Sequence, residues 1–410
     1  MRLVAEVVEQ KLNEDHSDYQ GPQAECACRQ QARYAGRKSK IFLSVLGPLC
    51  LQRAYYHCSA CQHGFYPRDQ AWGLQASSLS PGVIRMVSAV GAAVSFEEGS
   101  QLLEELADLQ VDPKQVQRTA EAVGQAVDRD EHRNSEPLSP DDPPPTMYLG
   151  IDGTGVPLRR QELQDRKGKQ ADGSAKTREV KLCVVWSAES RDEENRPVRD
   201  AGSVSYSAAI ESAAAQETEP TYAEFYQRVE REAGRRRLGQ AQRLVVLGDG
   251  APWIWNLADE LYPGAIQIVD RWHAKEYFSV VGKEVYGTGS AKAKAWIQRR
   301  WDQLDEGRFG ALLRAVARHA PRHEEARKLL DRLKVNRDRM NYPRFEQQGL
   351  CTSSGVVEAG CKVVIGTRLK RAGMHWSVVG ANAITALRCC RLSGRFQDFW
   401  ERRAELQKAA

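Results

Sequence analysis

The chain has 410 residues, 41% of them hydrophobic and 28% charged, enough for two or three domains with packed cores, which excludes wholesale disorder. No apolar run is long enough to span a membrane as a helix, and "MRLVAEVVEQKLNEDHSDY" is too charged for a secretory signal, so a cytoplasmic location is expected. The net charge of +5 says little about partners, but ten cysteines in a reducing compartment point to metal binding or free thiols rather than disulfides.

Residues 1–77 read as a zinc-ribbon-like region. Cys26 and Cys28 stand in "ECACRQ", the strand-like run "IFLSVLGPLCLQRAYYHC" follows, and Cys58 and Cys61 close it in "CSAC". Two cysteine pairs joined by a β-hairpin can converge tetrahedrally on one zinc ion. The first pair is one residue tighter than the usual spacing. Cys50 is expected in the core, and His57 and His63 are ordinary hairpin residues or substitute ligands.

Residues 78–132 read as three helices. Ser80-Pro81 starts the first, "SFEE" forms a capping box from Ser95 to Glu98, and Asp112-Pro113 starts the third. Tight joins between short helices fit either a helix-turn-helix DNA reader or an ordinary three-helix packing unit. The proline-rich "RNSEPLSPDDPPPT", residues 133–146, reads as an extended linker.

From residue 147 to 410 the pattern changes. "TMYLGIDGTGVPL", "VKLCVVWSAES" and "AGSVSYSAAI" are strands, "YAEFYQRVEREAGRR" is a helix, and "QRLVVLGDGAPWIW" is a buried strand entering a helix. "GAIQIVDRWHAKEYF" is a fifth strand entering another. Three strands in a meander followed by strand–helix alternation predict an α/β domain with a mixed sheet, in the order of a ribonuclease-H-like fold. An Arg-rich helical stretch, including "RLKVNRDRMNYPRF", occupies about 274–350 as an insertion. Trp253, Trp255, Trp272, Trp296 and Trp301 are expected in the core rather than as stacking platforms.

Asp152 and Asp249 each end a strand beside glycine, which lets backbone and a phosphate approach closely. In this strand order the first and fourth strands are neighbours, so the two carboxylates face each other. Such hard oxygen ligands suit two Mg²⁺ or Mn²⁺ ions for phosphodiester chemistry. A third acid is then needed from a late helix, and Glu358 in "GVVEAGCKVVIGTRLKRAGMHW" is the candidate. By itself it reads as a surface residue or salt-bridge partner. Glu193 and Glu194 lie in a charged loop, and Glu276 follows the separate "DRWH" feature, Asp270 to His273.

Together, "GIDGTGVP", "GDGAPWIW", "DRWHAKEYF", "SSGVVEAGCKVVIGTRLKRAGMHW", "GRFQDFWERR" and "VLGPLCLQRAYYHCSAC" resemble bacterial DDE transposases of the ISKra-type insertion-sequence family, related to the wider Mutator-like group. The resemblance implies a nucleoid-associated enzyme that binds element ends, cuts DNA and transfers the 3′-hydroxyl to target DNA, with Asp152, Asp249 and Glu358 as catalytic metal ligands. It implies that Asp270 and His273 work beside the active site. Lys362 shares a helix face with Glu358 and can hold a phosphate. Arg368, Lys370 and Arg371 continue the DNA contact, with His375 and Trp376 able to stack or pack. Pairing two DNA ends predicts at least a homodimer. The alternatives are a non-cutting DNA-binding repressor derived from a transposase, or a structure-selective nuclease.

Overall fold

Alternating apolar residues and a tight turn at Gly47 (φ 108°) fold the first cysteine region into a four-stranded antiparallel sheet, strands β1 (Gln23–Glu25), β2 (Gln31–Ser44), β3 (Gly47–His57) and β4 (Gly64–Phe65) in sequence order. Helix α1 (Arg2–Glu14), which the sequence reading does not place, packs Ala5, Val8 and Leu12 onto Phe42, Leu49 and Leu51. The structure is a computed structural model and describes residues 2–75, 77–134, 137, 142–164, 168, 170, 173–213, 223–353 and 355–409. Of the expected linker 133–146, residues 135, 136 and 138–141 lie outside the described residues.

Four helices complete the N-terminal part: α2 (Pro67–Trp72), α3 (Pro81–Ala93), α4 (Phe96–Ala107) and α5 (Pro113–Arg133). Ser80 caps α3, Ser95 and Glu98 form the capping box of α4, and Asp112 accepts from the NH groups of Lys114 and Gln115. A Cβ on Gly91 would lie 2.6 Å from that of Ala120, so glycine there lets α3 approach α5 closely. The chain divides into two compact units, residues 1–130 with 394–410 and residues 131–393.

The second unit is α/β with a mixed five-stranded sheet. Its strands are β5 (Thr146–Pro157), β6 (Thr177–Ser187), β9 (Ser205–Ala209), β10 (Arg243–Gly248) and β11 (Ile266–Val269), with a small hairpin, β7 (Ser190–Arg191) and β8 (Pro197–Val198), in the charged loop. The order across the sheet is β11-β10-β5-β6-β9, so the first and fourth large strands are neighbours as expected. The β10–β5 and β10–β11 pairs are parallel, and β5–β6 and β6–β9 antiparallel. Both sheet faces are buried around Tyr148, Trp186, Val184 and Val246, which explains why these strands read as continuous apolar runs.

Helices α6 (Glu224–Arg235) and α7 (Pro252–Leu261) follow β9 and β10, and α8 (Arg271–Tyr286) follows β11. The Arg-rich stretch is helical: α9 (Ala291–Asp305), α10 (Phe309–Ala317), α11 (Glu324–Val335) and α12 (Tyr342–Gln347). Helix α13 (Gly355–Gly360) runs through a π-helical turn, Cys361–Gly366, into α14 (Thr367–Leu369), and α15 (Val378–Leu392) and α16 (Phe396–Ala409) end the chain. Among the described residues, no helix is long and apolar enough to cross a membrane.

Candidate functional site

The parallel register of β5 with β10 runs from Thr146 opposite Arg243 to Gly150 opposite Leu247. Asp152 follows two residues on along β5 and Asp249 just past the end of β10, close enough for the Asp249 charge to act on the Asp152 carboxyl. Helix α13 packs against the sheet because two glycines admit it. A Cβ on Gly150 would stand 2.1 Å from Val357, and one on Gly360 would stand 3.0 Å from Leu182 and Tyr206. Glu358 follows Val357, and Cys361, one turn later, donates its thiol to Asp152 Oδ2 at 3.4 Å. Helix α13 therefore carries its glutamate to the two aspartates' end of the sheet.

Each acid is held differently. Asp152 Oδ1 accepts the Gly153 NH at 2.7 Å. Burial pushes its carboxyl above the usual range, helped by the negative charge of Asp249 and opposed by the Gly153 NH, Cys361 and the His273 imidazole. Asp249 Oδ1 accepts the Ala251 NH at 2.8 Å, and the Asp249 carbonyl accepts the Tyr277 hydroxyl. Glu358 is 62% exposed and pairs with Lys362 at 2.7 Å, the i,i+4 partner the sequence offers. Its hydrogen bond to Lys362 holds it below the usual range, with His273 a smaller influence. The three carboxylates do not gather as tightly as the cysteines. Among the described residues, only Cys26, Cys28, Cys58 and Cys61 bring three or more His, Cys, Asp or Glu ligand atoms within 4.8 Å of one another.

The "DRWH" segment lies beside this site through His273. Asp270, 2% exposed, caps α8 by accepting the His273 NH at 2.8 Å and anchors β11 through its own NH to the Gly248 carbonyl. The His273 ring lies 3.5 Å from Glu276 and close enough to bias both Asp152 and Glu358. Trp272, expected in the core, is 58% exposed. Among the expected DNA-contacting residues, Lys370 reaches the Thr154 hydroxyl on β5, two residues from Asp152. His375 is exposed, and Arg371 is half-buried. Arg368 departs from that expectation, and Trp376 packs rather than stacks on DNA. Arg368 is fully buried with its guanidinium 5.0 Å from the Trp376 ring, and Trp376 donates its indole NH to Leu369 and is bridged to β5 by main-chain bonds with Pro157 and Arg159. The two bind segment 367–376 to the sheet, because a planar cation in an apolar interior needs an aromatic face and acceptors.

The four cysteines form a second candidate site. Their Sγ atoms approach to 3.6 Å for Cys26–Cys61 and 3.7 Å for Cys28–Cys58. A tetrahedral ion with Zn–S bonds of about 2.3 Å has S–S edges of about 3.8 Å, so the four thiols fit zinc. The tight Cys-x-Cys pair is accommodated because Arg29 turns back in the left-handed region (φ 66°), as Gln62 does after Cys61 (φ 58°). Main-chain NH groups of Cys61 and Ala60 pull Cys58 down to about 7. Cys61, although the His63 NH favours its thiolate, is pushed up to about 12 by sharing hydrogen bonds with Cys28 and Cys26. Bound here, zinc would neutralise a set of thiols that cannot all ionise without it. His57 and His63 are not among the grouped ligands, and Cys50 is half-buried on β3, its NH bound to Glu9.

The model of the Uncharacterised protein family (UPF0236) matches residues 3–406. The chain belongs to this family. No curated protein matches it. Among solved structures it is similar to the Drosophila P element transposase strand transfer complex, at 12% identity, with 82% of this chain and 84% of that chain covered and a TM-score of 0.28.

Several residues that shape the site in this UPF0236 chain escaped the sequence reading. Cys361 stands three residues after Glu358, a spacing that marks a shared helix face. Tyr277 joins the Asp249 carbonyl to α11 through the Arg332 guanidinium, 3.9 Å from its ring. Arg388 on α15 donates to the carbonyls of Val363 and Val364 and to Thr367, satisfying groups released where the π-helical turn widens the helix. Only tertiary packing brings Tyr277 and Arg388 to the site, so no local sequence signal identifies them.

Proposed function

We propose that this chain is a DDE-type DNA transposase with a ribonuclease-H-like catalytic unit. What supports the reading is that Asp152 and Asp249 follow the ends of the parallel β5–β10 pairing, with α13 packed beside β5 through Gly150 and Gly360 and its Cys361 bonded to Asp152. Three carboxylates at one sheet end are hard oxygen donors of the kind that hold Mg²⁺ or Mn²⁺. Bound there, such ions would supply Lewis acidity for attack on a phosphodiester.

In this reading Asp152, Asp249 and Glu358 would hold the ions, with Glu358 giving up its Lys362 partner to do so. Lys362 is then free to meet a phosphate oxygen, as is Lys370 beside Thr154. Asp270 and the main chain around Gly248 fix the β10–β11 end, so His273 stands at a constant place beside the acids. Water attacks the phosphorus at the element end as the P–O3′ bond breaks. The released 3′-hydroxyl then attacks a target phosphorus and displaces another 3′-oxygen. No covalent intermediate with the protein is needed. The zinc-ribbon-like region and the helices α3–α5, with their helix-turn-helix-like joins, bind element ends, and the enzyme acts in the bacterial cytoplasm as at least a dimer on DNA.

Purified protein should nick DNA carrying its element ends in the presence of Mn²⁺, and Asp249→Asn should abolish nicking while leaving DNA binding intact. Unchanged nicking by Asp249→Asn would remove these acids from the reaction. A second reading, a transposase-derived repressor that binds ends without cutting, is favoured by the exposed Glu358–Lys362 pair and the spacing of the three acids. Tight binding with no strand cleavage at any Mn²⁺ concentration is its signature.

A further inference from the structure

We infer that a groove on the α6–α7 face of the sheet holds an unpaired nucleotide of the DNA strand that runs past the three acids. The inference rests on the nucleic-acid reading above but names a site which that reading does not use.

The groove has a volume of about 800 Å³ and is lined by Thr177, Glu179, Lys181, Glu211 and Trp253 among others. That falls within the roughly 300–1,000 Å³ typical of small-ligand sites. Its walls grow from the same two Asp-Gly steps that carry the acids. Successive strand residues face opposite ways, so Asp152 faces α13 while Gly153 and Gly155 face the groove. A Cβ on Gly153 would lie 2.5 Å from Glu179 Oε1, and one on Gly155 would lie 2.8 Å from Thr177 Oγ1. The two glycines therefore let these side chains lie across β5 and form the groove floor. The opposite wall is Trp253, four residues after Asp249 in the first turn of α7. A strand bound at the acids reaches the groove by crossing the end of the sheet.

The chemistry of the lining selects the occupant. Trp253 is half-buried rather than in the core where the sequence reading puts it, and its ring rests edge-on against the buried Phe225 at 5.9 Å. Lys181 Nζ lies 5.8 Å from the ring centroid, 3.3 Å from Glu179 and 2.9 Å from the Glu211 carbonyl. The Glu211 carboxylate is taken by Arg228 at 2.6 and 2.9 Å, so it adds little free negative charge to the groove. What remains is an aromatic surface with the Lys181 ammonium over it, 5.8 Å from the ring centroid, and a neighbouring carboxylate and hydroxyl. A flat heteroaromatic with a hydrogen-bonding edge and an attached phosphate matches all of these. A base within a duplex has both faces covered, so the base that stacks here must be unpaired.

The test uses the full-length protein without added Mg²⁺ or Mn²⁺ and a short duplex bearing a single-stranded tail, with 2-aminopurine in the tail, beside the same duplex blunt-ended. Stacking on Trp253 predicts quenching of the 2-aminopurine on binding. Trp253→Ala should weaken binding of the tailed duplex by about 10- to 100-fold, leave the blunt duplex unaffected, and be largely rescued by Trp253→Phe. Unquenched 2-aminopurine in the wild-type complex overturns the inference. So does a folded Trp253→Ala protein, with unchanged melting, that binds both duplexes as the wild type does. If Trp253→Ala does not fold, the wild-type quenching decides alone. Nicking without quenching would sink the groove and keep the transposase reading. Quenching by a protein that never nicks would do the reverse.

Discussion

Gly150 shows how much of the site depends on one missing side chain. Its Cβ position lies 2.1 Å from Val357 and 2.8 Å from Trp186, both inside the core. Neither neighbour can withdraw, because Val357 belongs to α13 and Trp186 is buried on β6. Gly150→Ala should therefore destabilise the second unit by about 1–3 kcal/mol and lift α13, with Glu358, away from Asp152. Urea melting checks the first effect. The second is checked by nicking at a temperature where the variant remains folded. A variant as stable and active as the wild type would show that α13 does not depend on this close approach. The Asp-Gly steps are legible in the sequence, because a glycine beside a strand-end acid opens room for backbone and ligand to approach. That local pattern does not show that Gly150, two residues earlier, serves a helix arriving more than two hundred residues later. For the same reason Arg368 reads as a DNA contact from its basic neighbourhood, yet the structure buries it against Trp376. Charge alone does not tell a solvated guanidinium from one stacked in the core.

At the scale of elements, the strands of the second unit and the capped starts of α3, α4 and α5 follow from local chemistry: apolar runs, Ser and Asp caps, and proline at first turns. Helix α1 and the π-helical turn after α13 lack such signals. The first is a charged amphipathic segment whose apolar face packs into a cluster from β2, β3, Trp72 and Leu74, and the second is fixed by Arg388 from a distant helix. The cysteine hairpin lies between these cases. Its four thiols can be read from sequence, but their convergence needs the left-handed turns at Arg29 and Gln62. The core beneath them, Ala24, Ala32, Ala54, Tyr56 and Phe65 with Cys26 and Cys58, is small, so an ion contributes much of the stability there. Purified protein should carry one zinc per chain by elemental analysis. A strong chelator or Cys58→Ser should release it and lower the melting temperature of the first unit. Full-length protein that is folded and free of zinc even after growth in zinc would rule out a structural ion.

The whole molecule joins its two ends in one unit. Residues 394–410 cluster with residues 1–130, while residues 131–393 form the other unit. Within the first unit α16 buries Phe399 and Trp400, sets Phe396 5.5 Å from the Arg85 guanidinium, and bonds Gln397 to Arg85 and Arg402 to Asp130, both at 2.6 Å. An end that sequence order assigns to the catalytic region thus supports the region that carries the cysteines. Ending the chain after Ser393 removes two buried aromatics, and losing one such side chain alone costs about 3–5 kcal/mol. In a unit of this size that lowers its transition by roughly 10 °C or more. Calorimetry separates the two units, because chelation of zinc marks which transition belongs to the first. The truncated chain should lose stability in the transition that the chelator moves and keep the other. If the truncation instead lowers the transition that the chelator leaves in place, α16 stabilises residues 131–393 and the division of the chain is wrong.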